Sequence, residues 1–364
     1  MNTPVTLINK TVLTNNISSM QALMNKNSKL LMPMMKTHKS TEIAKIQLNT
    51  GCFGFLCGTI EECIAAYTIN TKNIMYAYPV INIDNIKILS KIAQHCNMIL
   101  RSDSYECVDI TQDLARKSGI CFGMTVIVDS GLHRFGLDPY KAAKLAEYIT
   151  KKSNIRFLGF STHPGHVYQK TKDQVAEVAN DECESLKKAE MEVRKYGIES
   201  VYITSGSTPT VKLSVESDLI NVFHPGNYVF NDYIQMILGS ASEEECALYV
   251  SACVISNPEK GIFIIDAGAK CLGLDKGAHG NAAISGYGYV KKHPKAIITS
   301  LSEEVGIIHA KQEEFRIGDI VQIIPNHSCA TANLTSRLYF EQNDNTDNEY
   351  IKVDIRSNSY SFQI

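Results

Sequence analysis

The chain has 364 residues and a formal net charge of -2, with acidic and basic residues scattered along its length. This length allows a large core and exceeds that of one ordinary barrel, and the lack of a basic stripe argues against nucleic-acid and membrane partners. Eleven cysteines without a signal peptide or a transmembrane-length apolar span favour reduced thiols over a disulfide framework. We therefore expect a cytoplasmic protein that acts on a small molecule.

From Lys29 to about Phe230, short apolar runs alternate with amphipathic stretches. Helix signals separate the runs: Thr59 with Glu62 forms a capping-box pattern, and glycines at 51, 119 and 197 mark helix ends. The longest helical pattern spans about 170–196. The eight predicted strands are LLMPMMK (30–36), GFLCGT (54–59), NIMYAYPV (73–80), MILRSD (98–103), CFGMTVIVDSG (121–131), IRFLGFSTH (155–163), SVYITSGS (200–207) and LINVFHPG (219–226).

This alternation predicts an α/β protein with a (β/α)8 barrel over residues 8–238. An open doubly wound sheet would carry a glycine-rich GxGxxG fingerprint, which the chain lacks. After Gly239 the pattern changes to short apolar runs separated by Gly, Pro and Asn turns. We expect residues 239–364 to form a smaller all-β domain, with residues 1–7 as a candidate addition to it.

The first predicted strand leads directly into Lys36. A lysine at the end of a buried strand would be partly desolvated, which lowers its pKa and favours attack on a carbonyl to form a Schiff base. The alternative is a lysine whose stem lies along the strand while its amine reaches water. The other strand ends decide between these two interpretations.

Chemistry in such barrels lies at the C-terminal ends of the strands, often with a phosphate bound after strands seven and eight. The turn of Ser205, Gly206, Ser207 and Thr208 follows strand seven, and Gly226 and Asn227 follow strand eight. Small residues in both turns, together with a lysine after strand one, favour pyridoxal phosphate as the cofactor. Strands five and six contribute further polar residues at the same mouth: His133, Arg134, His163, His166 and Tyr168.

Seven segments together resemble one family: KTHK (36–39), VDSGLHRFG (128–136), THPGHVY (162–168), SGSTPT (205–210), HPGNYVF (224–230), DAGAK (266–270) and PNHSCATANL (325–334). They resemble the D-threonine aldolase and D-serine dehydratase family of fold-type III pyridoxal phosphate enzymes, relatives of alanine racemase. The resemblance implies that Lys36 carries the cofactor while Lys39 does not. It also implies that Arg134 and Tyr168 line the cofactor ring, that the turns at 205–208 and at Gly226, Asn227 and Tyr228 hold the phosphate, and that His327 and Cys329 bind a divalent metal.

The metal pair bears on the reaction. Two ligand types two residues apart on a strand would face the same side, which suits a metal, although a chance pair gives the same pattern. The resemblance implies that a pair of His and Cys goes with dehydratases and zinc. An Asp in place of the Cys goes with aldolases and with harder metals such as manganese or magnesium. Two departures concern substrate choice: the family's Arg-Pro-His is Met32-Pro33-Met34 here, and its Glu-Glu-His-Gly has Val305 in place of the histidine.

The leading hypothesis is a lyase that acts on D-configured 3-hydroxy amino acids, as a dehydratase or as an aldolase. Lys36 would act at the α-carbon, and His163 or His166 would serve as a base. An amino acid racemase and a non-catalytic carrier of pyridoxal phosphate are the alternatives. The resemblance also implies a homodimer in which the β domain of one subunit closes the barrel mouth of the other.

Overall fold

A computed structural model describes residues 2–311, 315–341 and 349–360 of the chain. These residues form two sheets, one of eight strands and one of nine. None of the helices in these ranges combines the length and apolarity needed to cross a bilayer.

The first part of the chain contains β1 (Val5–Ile8), α1 (Lys10–Lys26), β2 (Leu30–Leu31), α2 (Thr41–Thr50), β3 (Phe55–Cys57), α3 (Ile60–Thr68), β4 (Asn73–Tyr76), α4 (Ile83–Ala93), β5 (Asn97–Ser102), α5 (Tyr105–Ser118), β6 (Phe122–Ile127), α6 (Pro139–Thr150), β7 (Ile155–Ser161), α7 (Val175–Arg194), β8 (Tyr202–Ser205), α8 (Val211–Ser214), β9 (Val222–Phe223) and α9 (Tyr233–Ile237). The second part contains β10 (Leu248–Glu259), β11 (Ile262–Ile265), α10 (Ala269–Leu272), β12 (Tyr289–Val290), β13 (Ile297–Leu301), β14 (Gly306–His309), β15 (Ile320–Ile324), α11 (Ser328–Leu334), β16 (Arg337–Phe340) and β17 (Tyr350–Lys352).

The eight strands β2 to β9 form a parallel barrel, which confirms the predicted fold class. Their order is β2-β9-β8-β7-β6-β5-β4-β3. A parallel bridge between Met34 and Leu56, with a bond of 2.9 Å from the Leu56 N–H to the Pro33 carbonyl, closes the ring between β2 and β3. Parallel strands connected by helices on the outside bury both faces of the sheet, which explains the nearly continuous apolar runs.

The predicted helix signals act where the sequence places them. The Thr59 hydroxyl accepts the N–H of Glu62 at 3.2 Å and caps α3, although the Glu62 carboxylate binds Gly58 instead of closing a full capping box. Gly51 and Gly119 adopt left-handed conformations directly after α2 and α5. The longest helix is α7, which is shorter at both ends than the predicted segment.

The second sheet is mainly antiparallel and includes the start of the chain. Its order is β11-β14-β13-β12-β15-β10-β1-β16-β17. Strand β1 pairs with β10 in antiparallel fashion and with β16 in parallel fashion. The second structural unit therefore combines the segment Val5–Ile8 with the chain after α9.

The C-terminal segment returns to the barrel and binds the KTHK region. Asp354 accepts the backbone N–H of Thr41 at 2.9 Å, and the Ile355 N–H donates to the Lys39 carbonyl at 2.9 Å. Lys39 in turn forms a buried ion pair with Glu62 and donates to Asn358. These contacts tie the second unit to the loop that follows β2.

The first predicted strand is too long. Strand β2 ends at Leu31, and Lys36 lies in a 3-10 helix, Met35–Thr37. The prediction that the histidine and cysteine pair lies on a strand is also wrong. His327 is the residue before α11, and Cys329 lies in its first turn.

Candidate active site

One cavity lies at the C-terminal ends of the barrel strands. Residues that belong to or follow each of the eight strands line it, from Lys36 after β2 to Asn227 after β9. The second unit of the same chain contributes Ala278, His279, His327 and Cys329. The second unit of the same chain therefore contributes to the barrel mouth, and the closure by another subunit that the resemblance implies stays a prediction.

Lys36 lines this cavity with an exposed side chain. Its amine forms no hydrogen bond or ion pair with the described residues. The burial on which the sequence argument for a desolvated amine rests is therefore absent. Instead, the Lys36 amine lies free inside a cavity.

The turns after β8 and β9 form a cradle on one wall of the cavity. Within the described part of the chain, the backbone N–H groups of Ser207, Thr208, Gly226 and Asn227 donate no hydrogen bond. The Ser207 hydroxyl is also buried without a partner. Gly226 allows close approach to the neighbouring loop, because a Cβ there would lie 2.8 Å from the Thr37 hydroxyl oxygen. Unpaired amides in a small-residue turn fit a phosphate group, so these residues fit pyridoxal phosphate.

Two predicted cradle residues turn their side chains away from the cavity. The Ser205 hydroxyl donates to the buried carboxylate of Glu182 on α7. Burial raises the pKa of Glu182 to about 7, opposed by hydrogen bonds such as that from Ser205. The Tyr228 hydroxyl accepts a bond of 2.8 Å from Gln47, while the Tyr228 N–H binds Thr208 at 3.0 Å. Ser205 and Tyr228 therefore hold the cradle through hydrogen bonds to residues outside the cavity.

The polar residues predicted after β6 and β7 do not all reach the cavity. Arg134, His163 and Tyr168 line it. His166 does not, because its ring packs against Gly131, 3.1 Å from where a Cβ would stand. Burial, followed by the charges of Lys36 and other cations, holds the pKa of His163 well below its ordinary value. His163 is thus a neutral base facing the cavity.

The second unit brings His327 and Cys329 to the same cavity. The Cys329 thiol lies 3.2 Å from the Thr37 hydroxyl, one residue beyond Lys36. His327 Nδ1 lies 2.9 Å from the Asp275 carboxylate, which leaves Nε2 for another ligand. A carboxylate that binds one ring nitrogen of a histidine fixes the ring orientation and leaves the other nitrogen for a metal.

Electrostatics favour a thiolate at Cys329, which a metal can bind, and a proton on His327, which a bound metal would have to displace. Although burial opposes both charges, Cys329 and Asp275 raise the pKa of His327 well above its ordinary value, and His327 lowers the pKa of Cys329. A thiolate and a histidine nitrogen are donors that zinc prefers. No group of three or more His, Cys, Asp or Glu side chains in the described ranges could hold a metal alone. The pair therefore fits an open site, with coordination positions left for water and substrate.

Sequence reasoning missed several cavity residues, namely Tyr78, Arg101, His224 and His279. Arg101 carries a detectable signal, because it is a charged residue inside an apolar strand. His224 lies near the end of the predicted strand LINVFHPG, and its Nδ1 lies 2.9 Å from the Met32 carbonyl while Nε2 is buried without a partner. His279 and Asp275 come from a loop whose sequence carries no recognisable motif.

Two family models cover most of the chain. The alanine racemase N-terminal domain model matches residues 8–233, which include the barrel. A model for a D-serine dehydratase domain matches residues 247–340, which include most of the second sheet and the histidine and cysteine pair.

The chain is similar over nearly its whole length to named lyases. It is 27% identical to a D-serine dehydratase of Dictyostelium discoideum over 95% of this chain and 94% of that protein. It is 25% identical to a D-threonine aldolase of an Arthrobacter species, over 88% and 83% of the two chains. The solved D-threo-3-hydroxyaspartate dehydratase of Delftia sp. HT23 matches with 26% identity and a TM-score of 0.88, over 97% of each chain. A variant of that dehydratase with a cysteine changed to alanine is known in a metal-free form.

Proposed function

Because the chain belongs to the alanine racemase N-terminal domain family, we propose that it is a pyridoxal phosphate-dependent lyase acting on D-configured 3-hydroxy amino acids. Of the two lyase reactions, dehydration to a 2-oxo acid and ammonia is the one we favour. The similar proteins named as dehydratases and aldolases support the lyase class. The histidine and cysteine pair supports dehydration.

One observation carries the proposal: Lys36, the cradle and the pair of His327 and Cys329 face the same cavity of one chain. Each of these parts alone has a structural explanation. Together they would provide an amine, a phosphate site and a metal site within reach of one small molecule. A carrier that only stored the cofactor would have no use for the third part.

Lys36 is the amine that would hold the aldehyde carbon of the cofactor, and the amides of the cradle would hold its phosphate. When bound, pyridoxal phosphate accepts electron density from the α-carbon of the amino acid. His327 and Cys329 would hold a divalent ion, for which we propose zinc because of the nitrogen and sulfur donors. When bound, that ion would polarise the 3-hydroxyl group of the substrate.

The residues of the chain divide the proton transfers between them. In a dehydration, the substrate amine would first displace Lys36 from the cofactor, and the freed Lys36 amine would take the proton from the α-carbon. The 3-hydroxyl group would leave on the side of Cys329 as water with that proton, and hydrolysis of the remaining enamine would give the 2-oxo acid and ammonia. In an aldol cleavage, a neutral base would take the proton of the 3-hydroxyl group, the bond between the α- and β-carbons would break to release an aldehyde, and a proton delivered to the α-carbon would complete glycine. His163 suits that base, because its lowered pKa keeps it unprotonated.

Dehydration and aldol cleavage are separated by their products. We propose to incubate the purified protein with D-serine, D-threonine and D-threo-3-hydroxyaspartate, and to assay 2-oxo acid, aldehyde and L-isomer. A 2-oxo acid is the expected product. Glycine plus aldehyde would support the aldolase, and L-isomer alone would overturn the lyase assignment in favour of the racemase.

The metal is tested with a chelator and a matched pair of cysteine variants. Chelation and Cys329→Ala should each abolish turnover while leaving the visible absorption of the bound cofactor in place. Cys271→Ala is the control, because Cys271 is also half-buried in the second unit and does not line the cavity. Full activity after exhaustive chelation would refute metal assistance.

We also propose a homodimer and a cytoplasmic location. All eleven cysteines are free, which supports a reducing compartment.

Sedimentation equilibrium would test the dimer, and a monomer mass across the micromolar range would contradict it.

A further inference from the structure

Arg101 is a buried cation at the floor of the cavity. It lies on β5, is 4% exposed and lines the cavity. Its guanidinium donates to the Thr204 hydroxyl on β8 at 3.2 Å and contacts the Met75 sulfur on β4 at 3.2 Å. No carboxylate among the described residues pairs with it.

The surroundings of Arg101 are neutral or apolar. The floor of the barrel is a cluster of methionine and aliphatic side chains that includes Met32 and Met75. Burial, and then the charge of Arg101, keep the pKa of His224 well below its ordinary value, so this nearby histidine is uncharged. Burial also lowers the pKa of Arg101 to about 9, which still leaves the guanidinium cationic at neutral pH.

A buried charge without a counter-charge is costly, so the partner of Arg101 is to be sought in whatever fills the cavity. The phosphate already has four free amides and a free hydroxyl in the cradle. The remaining hydrogen-bond acceptors of pyridoxal phosphate are on its ring, namely the phenolic oxygen and the ring nitrogen. The Arg101 guanidinium has donors in excess of its two protein contacts.

We propose that Arg101 is a cofactor-binding residue whose guanidinium donates to an acceptor atom of the pyridoxal phosphate ring, the phenolic oxygen or the ring nitrogen. This assignment rests on the proposed function. In this chain the positive charge inside the barrel comes from Arg101 on β5.

The test compares cofactor-free wild type with Arg101→Met and Arg101→Lys. Binding of pyridoxal phosphate, pyridoxal and inorganic phosphate is measured by calorimetry, and thermal unfolding of each cofactor-free protein is recorded. Arg156→Met is the matched control, because Arg156 lies exposed on the barrel strand β7. None of these measurements depends on turnover.

Arg101→Met should weaken pyridoxal phosphate and pyridoxal by the same factor, about ten- to hundredfold, as expected for a lost hydrogen bond to a charged group. Binding of inorganic phosphate should not change, and Arg101→Lys should retain part of the affinity. The melting temperature of the cofactor-free Arg101→Met protein should be unchanged or higher, because an uncompensated buried charge is removed.

Three results would overturn the assignment. Unchanged affinity with a lower melting temperature would make Arg101 a structural residue. Weaker binding of pyridoxal phosphate and inorganic phosphate with unchanged pyridoxal binding would place the guanidinium at the phosphate. If the wild type bound no pyridoxal phosphate, the proposed function would fail and this assignment would fail with it, a result distinct from the other two.

Discussion

Replacing Lys39 by methionine should destabilise the protein without affecting the attachment of the cofactor to Lys36. Lys39 Nζ lies 2.6 Å from Glu62 Oε1, and the two side chains are 10% and 0% exposed. Removing one partner of a buried ion pair leaves the other charge uncompensated, at a cost of about 3–5 kcal/mol. Glu62 would keep the Gly58 N–H at 2.6 Å, so we expect the lower end of that range.

A double variant tests the origin of this loss. In Lys39→Met combined with Glu62→Gln the buried carboxylate is gone, so about 1–2 kcal/mol of the lost stability should return. Lys36→Met is the matched single variant from the same motif. Its amine is exposed and unpaired, so the free energy of unfolding should stay within about 0.5 kcal/mol of the wild type.

Urea unfolding of the cofactor-free proteins measures the stability changes, and peptide mapping after borohydride reduction identifies the lysine that carries the cofactor. The label is expected on Lys36 in the wild type and in Lys39→Met. The reasoning is refuted if Lys39→Met unfolds like the wild type, or if the label is found on Lys39.

Three further changes test the cradle and the metal pair. Burial raises the pKa of Glu182 in the folded protein to about 7, so the folded state holds this proton more tightly than the unfolded state does. The free energy of unfolding of the wild type should therefore fall by about 3 kcal/mol relative to Glu182→Gln between pH 4 and pH 8. Gly226→Ala should weaken pyridoxal phosphate binding about tenfold or more, because the new methyl group collides with the loop that carries Lys36. Asp275→Ala should weaken zinc binding about ten- to hundredfold by releasing the His327 ring.

Each of these changes has its own control. Parallel pH profiles for wild type and Glu182→Gln would contradict the raised pKa. Gly197→Ala is the control for Gly226, because a Cβ at Gly197 meets nothing within 4 Å; its φ of +71° makes the alanine cost stability, but cofactor affinity should not change. Zinc affinity unchanged in Asp275→Ala would mean that the carboxylate does not orient the histidine.

The barrel was predictable because its signals are local. Apolar runs, caps such as Thr59 and stop signals such as Gly119 each act within a few residues of sequence, and eight repeats of the pattern leave few alternative folds. The length of the first strand was not predictable in this way. Apolar residues from Met32 to Met35 report burial, and burial in the barrel floor does not require strand geometry.

The site was predictable only where strand ends determine it. Lys36 and the cradle residues follow strands, so their convergence follows from the barrel. His163 and His166 lie three residues apart, and only the 3-10 geometry of Gly165–Gln169 decides which of them faces the cavity. Arg101 was missed because its role depends on partners from other strands, which sequence spacing does not reveal.

Strand β1 has a consequence for how the molecule is made and handled. The hairpin of β16 and β17 joins the second sheet through β1, yet β1 precedes both in the chain. During translation this strand cannot pair until its partners β10 and then β16 have been synthesised. Substitutions that break the pairing of β1 with β16 would loosen the hairpin, which precedes the Asp354 contact with the KTHK region, and so disturb the loop that presents Lys36.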